Sequence, residues 1–164
     1  MFPDAPERFR NTPPRVAEAT DLVAVGRDCH DRDAFLSAPA AAAWKQLVAA
    51  ASIDGVELLL VSAFRSHARQ AEIVRRKRER GLEWDAILRV SAYPGFSEHH
   101  TGRAVDIGTP GACDLEETFE NTLAFAWLAR NASTFGFTLS YPRDNPHGIA
   151  YEPWHWCWSP NVAR

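Results

Sequence analysis

The sequence contains few cysteines, little net charge and no long apolar run. Its three cysteines, Cys29, Cys113 and Cys157, form no CxxC pair, which argues against a disulfide framework or a thiolate zinc cluster and allows one bridge at most. The formal net charge of -3 lacks the basic excess of most proteins that bind nucleic acids or anionic membranes. We therefore expect no nucleic-acid partner.

Nowhere do about 18 apolar residues follow one another, so the sequence predicts no membrane span. The first residues also lack the basic segment and apolar core of a signal peptide. No internal repeat or low-complexity block occurs. The length of 164 residues suits a single domain with a substantial core.

Helices and strands are expected in a mixed order along the chain. Four prolines in the first twenty residues indicate an irregular arm, which we extend over the ambiguous residues up to 38. Beyond it, the patterns predict helices over 39–52, 66–81, 83–90 and 117–135, and strands over 56–64, 103–107, 137–141 and 149–158. Because no strict βαβ rhythm appears, we predict an α+β fold with a small, mainly antiparallel sheet flanked by helices.

A basic run, Arg75 to Arg78, lies within the second predicted helix. Such a run can bind nucleic acid, but acidic residues flank it and the whole chain is acidic. We therefore interpret it as a solvated helix face.

The residues able to bind a metal fall into two short segments. His99 lies in a loop, Asp106 follows seven residues later, and the C-terminal sequence YEPWHW contains Glu152 and His155. On a regular strand Glu152 and His155 would face opposite sides, but Pro153 favours a bend that brings both toward one cleft. A catalytic zinc site commonly has three protein ligands, so His99, Asp106 and His155 could form one.

The remaining groups would then suit hydrolysis of an amide. A carboxylate beside the metal, here Glu152, can take a proton from water whose pKa zinc lowers to about 7. Arg65 follows a predicted buried strand and can stabilise an oxyanion.

Ordinary structural roles are also open for each of these groups. Asp106 could cap a helix, Arg65 could form an ion pair, and the tryptophans near the C-terminus could be a core stripe. The remaining histidines fit surface, core or helix-end positions, namely His30, His67 and His147.

Two motifs resemble those of the D-alanyl-D-alanine carboxypeptidase metallopeptidases. Residues 97–106 fit SxHxxGxAxD and residues 152–155 fit ExWH, in the same order as in that family. The segment SAFRS, residues 62–66, resembles the family's SGYRS, with Ala and Phe replacing Gly and Tyr. The similarity covers about 56–158, the expected metal-binding catalytic core of one peptidase domain spanning 1–164.

The resemblance implies one zinc ion held by His99, Asp106 and His155, with Glu152 as the catalytic base. It also implies that Arg65 binds substrate and stabilises the tetrahedral intermediate. Further substrate contacts are expected from three residues at motif or cleft positions, namely Gln70, Ser97 and Trp154. His100 falls at a variable motif position and receives no metal role.

The implied activity is zinc-dependent removal of a terminal D-alanine from a peptidoglycan stem peptide, by D,D- or L,D-cleavage. A cell-wall endopeptidase and a non-catalytic zinc-bearing binding module are the alternatives. We expect a monomer. Localisation stays open between the bacterial cell envelope, if a leader precedes this sequence, and the cytoplasm.

Overall fold

A computed structural model of the chain describes residues 15–160. Its helices are α1 (Ala38–Ile53), α2 (His67–Glu79), α3 (Trp84–Val90) and α4 (Leu123–Asn131), together with three short 3₁₀ helices. The strands are β1 (Leu22–Arg27), β2 (Asp33–Ser37), β3 (Leu59–Ser62), β4 (Ala104–Gly108), β5 (Phe137–Leu139) and β6 (His155–Trp158). The predicted α+β class with small antiparallel sheets is confirmed.

The main sheet has the strand order β3-β4-β6-β5, and every neighbouring pair is antiparallel. The strand nearest the C-terminus, β6, therefore lies inside the sheet between β4 and β5. Helix α1 packs its Trp44 and Leu47 side into the core, where Val105 and Ile107 of β4 and Trp156 of β6 are also buried. The opposite face of β4 and β6 is left for polar side chains.

Residues 22–37 differ from the expected irregular arm, because they form an antiparallel hairpin of β1 and β2. The inward side chains of Ala34 and Leu36 are buried in the main core, so tertiary packing stabilises strands whose own pattern is weak. Of the predicted arm, residues 15–19 have no regular structure. Residues 1–14 lie outside the described residues.

Several other elements are shorter than predicted. The expected helix over 117–135 is divided at Thr122, whose hydroxyl accepts a hydrogen bond from the Phe125 amide and so begins α4. The strands predicted over 56–64, 137–141 and 149–158 contract to β3, β5 and β6. At β6 the cause is Pro153, because the turn around it ends the strand pairing before His155.

Two arginines of the basic run on α2 form ion pairs with glutamates of the same helix. Arg75 pairs with Glu79 and Arg76 with Glu72, as predicted for a solvated helix face. Lys77 instead donates a hydrogen bond to Ser91, the residue that directly follows α3. Within residues 15–160, no helix is long and apolar enough to cross a membrane.

One disulfide joins Cys29, in the turn of the hairpin, to Cys113, after β4. Cys157 in β6 is a free thiol. The bridge fixes the hairpin to the loop that follows the central strand.

Candidate metal and active site

The strand register brings Asp106 and His155 together. The two residues are directly opposite each other in the β4–β6 pair, so their side chains leave the same face of the sheet. The Nδ1 atom of His155 lies 2.9 Å from Oδ1 of Asp106, and both side chains are buried. Ser62 of β3 is opposite Asp106 on the other side.

His99 reaches the same point from a 3₁₀ helix, Glu98–Thr101, that ends just before β4. Gly102 ends this helix with a positive φ of 64°, and a Cβ there would lie 2.9 Å from the backbone nitrogen of Ser37. Only glycine satisfies both conditions, which explains why the motif has this residue between two candidate ligands. The Nε2 atom of His99 then lies 3.2 Å from Oδ2 of Asp106.

One ligand atom from each of His99, Asp106 and His155 lies within 4.8 Å of the others. A single ion placed among them would be near all three. Two imidazoles and one carboxylate form a donor set that zinc commonly has in catalytic sites. The residues present therefore fit a zinc ion.

Hydrogen bonds from the second ring nitrogens orient both histidines. Nδ1 of His99 lies 2.7 Å from the Ala63 carbonyl, so it donates and leaves Nε2 facing Asp106. Nε2 of His155 lies 2.9 Å from Glu98, which leaves Nδ1 facing Asp106. Such outer contacts fix the ring orientation and the tautomer of metal-binding histidines.

The buried carboxylates and histidines of this cluster shift one another's pKa values. Burial opposes ionisation of Asp106, but the two histidines outweigh it and hold the pKa of this carboxyl well below its usual range. Burial lowers the pKa of His155, yet hydrogen bonds to Asp106 and Glu98 outweigh that effect and raise it to about 10. Glu98 keeps a low pKa of about 2 despite burial, because His155 stabilises its charged form.

Glu152 lies beside the three candidate ligands without being one of them. Its Oε2 atom is 3.8 Å from Nδ1 of His155. The chain turns at Pro153, and across this turn the His155 amide donates a hydrogen bond to the Glu152 carbonyl. Burial is the main reason why the pKa of Glu152 rises to about 7, which suits a group that exchanges protons near neutral pH.

Arg65 lies beside Asp106, with a guanidinium nitrogen 3.6 Å from Oδ2. Its side chain also donates to Oε1 of Gln70 at 2.8 Å and is close to Oγ of Ser62 at 3.3 Å. Only 18% of the side chain is exposed, so the guanidinium is held in one orientation. A fixed donor of this kind can stabilise developing negative charge.

The three expected substrate-contact residues all line the cleft that contains the site, whose volume is about 1450 Å³. Gln70 is buried, with one amide atom bound to Arg65 and the other donating to the Ala92 carbonyl. Ser97 is also buried, and its hydroxyl caps the 3₁₀ helix. Trp154 is half-buried against the main core. Their contact with substrate stays a prediction.

Sequence reasoning missed Glu98 and His100, both of which are close to the site. Glu98 accepts from His155, a residue 57 positions away, and no local pattern predicts that contact. The one sequence feature that could have indicated Glu98 is its position directly before the candidate ligand His99. The motif gives His100 no metal role and suggests a place at the cleft mouth or the surface, but its side chain is completely buried. His30 and His147 lie outside the three-ligand cluster.

The fold and the geometry together define an α+β domain with a candidate His-Asp-His metal site and an adjacent carboxylate. A family model described as VanY, D-alanyl-D-alanine carboxypeptidase, matches residues 33–161. The chain therefore belongs to the VanY D-alanyl-D-alanine carboxypeptidase family. Both candidate motifs and Arg65 lie within the matched range.

Two curated relatives support this assignment. The Bacillus subtilis protein YodJ is 40% identical over an alignment of 129 residues, and the match covers 74% of this chain and 45% of YodJ. The Enterococcus gallinarum bifunctional D-Ala-D-Ala dipeptidase and carboxypeptidase VanXYC is 31% identical over an alignment of 131 residues, and the match covers 76% of this chain and 67% of that protein. The chain thus spans less than half of YodJ and about two thirds of VanXYC.

Solved structures show the same fold. A structure of the LdcB LD-carboxypeptidase has a TM-score of 0.77 and 34% identity, and the match covers 88% of this chain and 71% of that one. A variant of the vancomycin-resistance D,D-pentapeptidase VanY, solved with Zn(II), has a TM-score of 0.69 and 28% identity over 85% of this chain and 79% of that one.

Proposed function

We propose that the protein is a carboxypeptidase that uses one zinc ion per chain to remove the terminal D-alanine of peptidoglycan stem peptides. The observation that carries this proposal is that Glu152 lies 3.8 Å from the candidate ligand His155 and Arg65 lies 3.6 Å from the candidate ligand Asp106. A purely structural zinc site has four protein ligands and needs no adjacent base. The VanY neighbour solved with Zn(II) and another, VanYB, solved with D-alanine-D-alanine support the metal and the substrate class.

Each side chain has a distinct task in this reaction. Zinc, when bound by His99, Asp106 and His155, lowers the pKa of water and polarises a carbonyl. Glu152 takes a proton from the attacking water and delivers it to the amine that leaves when the C–N bond breaks. Arg65 donates hydrogen bonds to the oxygen on which negative charge develops, or to the terminal carboxylate of the peptide.

Two synthetic stem peptides test the activity and its specificity. We expect the zinc-loaded protein to release one alanine from a pentapeptide ending in D-Ala-D-Ala or from the tetrapeptide with one D-Ala, as measured by mass spectrometry. Loss from the pentapeptide defines a D,D-carboxypeptidase, and loss from the tetrapeptide an L,D-carboxypeptidase like LdcB. Internal cleavage would favour the endopeptidase, and no cleavage of either peptide would favour a binding module.

The role of Glu152 is tested by Glu152→Ala. We expect kcat to fall about 10²- to 10⁴-fold, the usual contribution of a general acid–base group, with zinc still bound in stoichiometric amount. Glu79→Ala removes an exposed carboxylate of α2 and is the matched control, for which we expect unchanged turnover. An active Glu152→Ala protein would contradict the mechanism.

A further inference from the structure

Both ring nitrogens of His100 are hydrogen-bonded to the backbone. Nε2 lies 3.1 Å from the Gly95 amide and accepts its hydrogen, so this nitrogen carries no proton. Nδ1 must then carry the proton, and it donates to the Arg65 carbonyl at 2.5 Å. The side chain has no exposed surface. The two backbone partners thus select one neutral tautomer.

The Arg65 backbone is held from both sides by the histidine pair. Its amide donates to the His99 carbonyl at 3.2 Å, and its carbonyl accepts from the His100 ring. His99 is a candidate metal ligand, so these two bonds connect the Arg65 backbone to the 3₁₀ helix that carries this ligand. Contacts with Gln70 and Ser62 orient the guanidinium, while the bonds to His99 and His100 fix the backbone from which the side chain starts.

The ring of His100 is itself fixed by its surroundings. The ring of His67 meets it edge-on, with 4.3 Å between centroids. His67 in turn bonds the Val16 carbonyl through Nε2 at 3.0 Å. The Ala19 amide donates to the His100 carbonyl, so both the backbone and the ring of His100 are held by neighbouring segments.

We propose that His100 is a positioning residue, which places Arg65 relative to the ligand His99 through the Arg65 carbonyl. This inference rests on the proposed function, in which Arg65 stabilises the reacting oxygen. His100 does not touch the reacting atoms. Its effect on turnover must therefore pass through Arg65.

A double-mutant cycle tests this dependence with His100→Leu, Arg65→Ala and the combined variant. We expect His100→Leu to lower kcat about 10- to 100-fold with little change in KM, as small displacements of a catalytic group do. In the Arg65→Ala background, the same change should lower kcat less than about 2-fold, because the two residues act as one unit. Equal losses in both backgrounds would overturn the proposal.

Two controls separate positioning from general stability. His100→Gln keeps one donor and one acceptor and should restore kcat to within about 5-fold of wild type. His147→Leu removes a half-buried histidine that packs against Tyr141, and any loss it causes should be the same with and without Arg65. All variants are compared at equal zinc content and below their thermal transitions.

A nuclear magnetic resonance measurement tests, independently of turnover, whether His100 positions Arg65. Protein with ¹⁵N-labelled histidine and arginine should show the Nδ1–H tautomer at His100, and an Arg65 Nε–H signal that moves in His100→Leu and returns in His100→Gln. The Nε2–H tautomer, or an Arg65 signal that does not respond to His100→Leu, would overturn the assignment. If wild-type protein cleaves neither stem peptide, the proposed function fails, and these signals still decide whether His100 positions Arg65.

Discussion

Glu98 holds His155 by accepting a hydrogen bond from the ring nitrogen that faces away from the other candidate ligands. Ligand histidines depend on such partners, whose loss typically weakens metal binding about 10- to 100-fold. We expect Glu98→Ala to reduce zinc affinity by this factor, as measured by competition with a chromophoric chelator.

The matched control for Glu98 is again Glu79→Ala, which changes the net charge equally but removes a carboxylate from the exposed side of α2. Its zinc affinity should equal that of wild type. If Glu98→Ala and Glu79→Ala bind zinc equally well, Glu98 does not orient His155.

At the level of single residues, the sequence predicts the groups within each motif but not the contacts between motifs. His99 and Asp106 belong to one ten-residue segment, and Glu152 and His155 to another, so their spacing is visible in the sequence. The contacts of Glu98 to His155 and of His100 to Arg65 span 57 and 35 residues. They depend on the strand order and are visible only in the folded protein.

At the level of elements, Ser66 both begins α2 and directly follows Arg65. Its hydroxyl accepts a hydrogen bond from the Arg69 amide at 3.1 Å, which is the contact of an N-cap. We expect Ser66→Ala to lower the free energy of unfolding by about 1 kcal/mol, the usual value of a lost N-cap. Urea denaturation measures this change.

The control for the N-cap is Ser52→Ala in the last turn of α1, where the side chain is exposed. This change should alter the free energy of unfolding by less than about 0.5 kcal/mol. Equal stabilities of the two variants would show that the Ser66 hydroxyl contributes nothing to α2.

Local signals explain which elements could be predicted. Helices α1, α2 and α3 have clear beginnings or ends in the sequence and lie close to the predicted ranges. The hairpin of β1 and β2 lacks such signals, since its strands alternate weakly and a bulge occurs near Gly26. Tertiary packing of Leu36 supplies the stability that local sequence does not.

At the level of the whole molecule, the Cys29–Cys113 bridge joins residues 84 positions apart. Closing so long a loop restricts the unfolded chain, and native bridges typically contribute about 2–4 kcal/mol. We expect a reducing agent to lower the melting temperature of the wild-type protein, as measured by circular dichroism.

The double variant Cys29→Ser and Cys113→Ser is the control, since its melting temperature should not respond to the reducing agent. Thiol titration checks the pairing directly. Protein unfolded without reductant should expose one thiol, that of Cys157, and protein unfolded and reduced should expose three. Three reactive thiols without reductant would contradict the bridge.

The position of β6 between β4 and β5 has a consequence for synthesis of the protein. Strands β4 and β5 precede residues 155–158 in the chain and do not pair with each other, so they have no shared neighbour until β6 is made. The centre of the sheet closes only when β6 is inserted, and the same step delivers His155 to His99 and Asp106. A nascent chain that ends before β6 has neither a complete sheet nor the candidate ligand His155, so the proposed hydrolysis requires this strand.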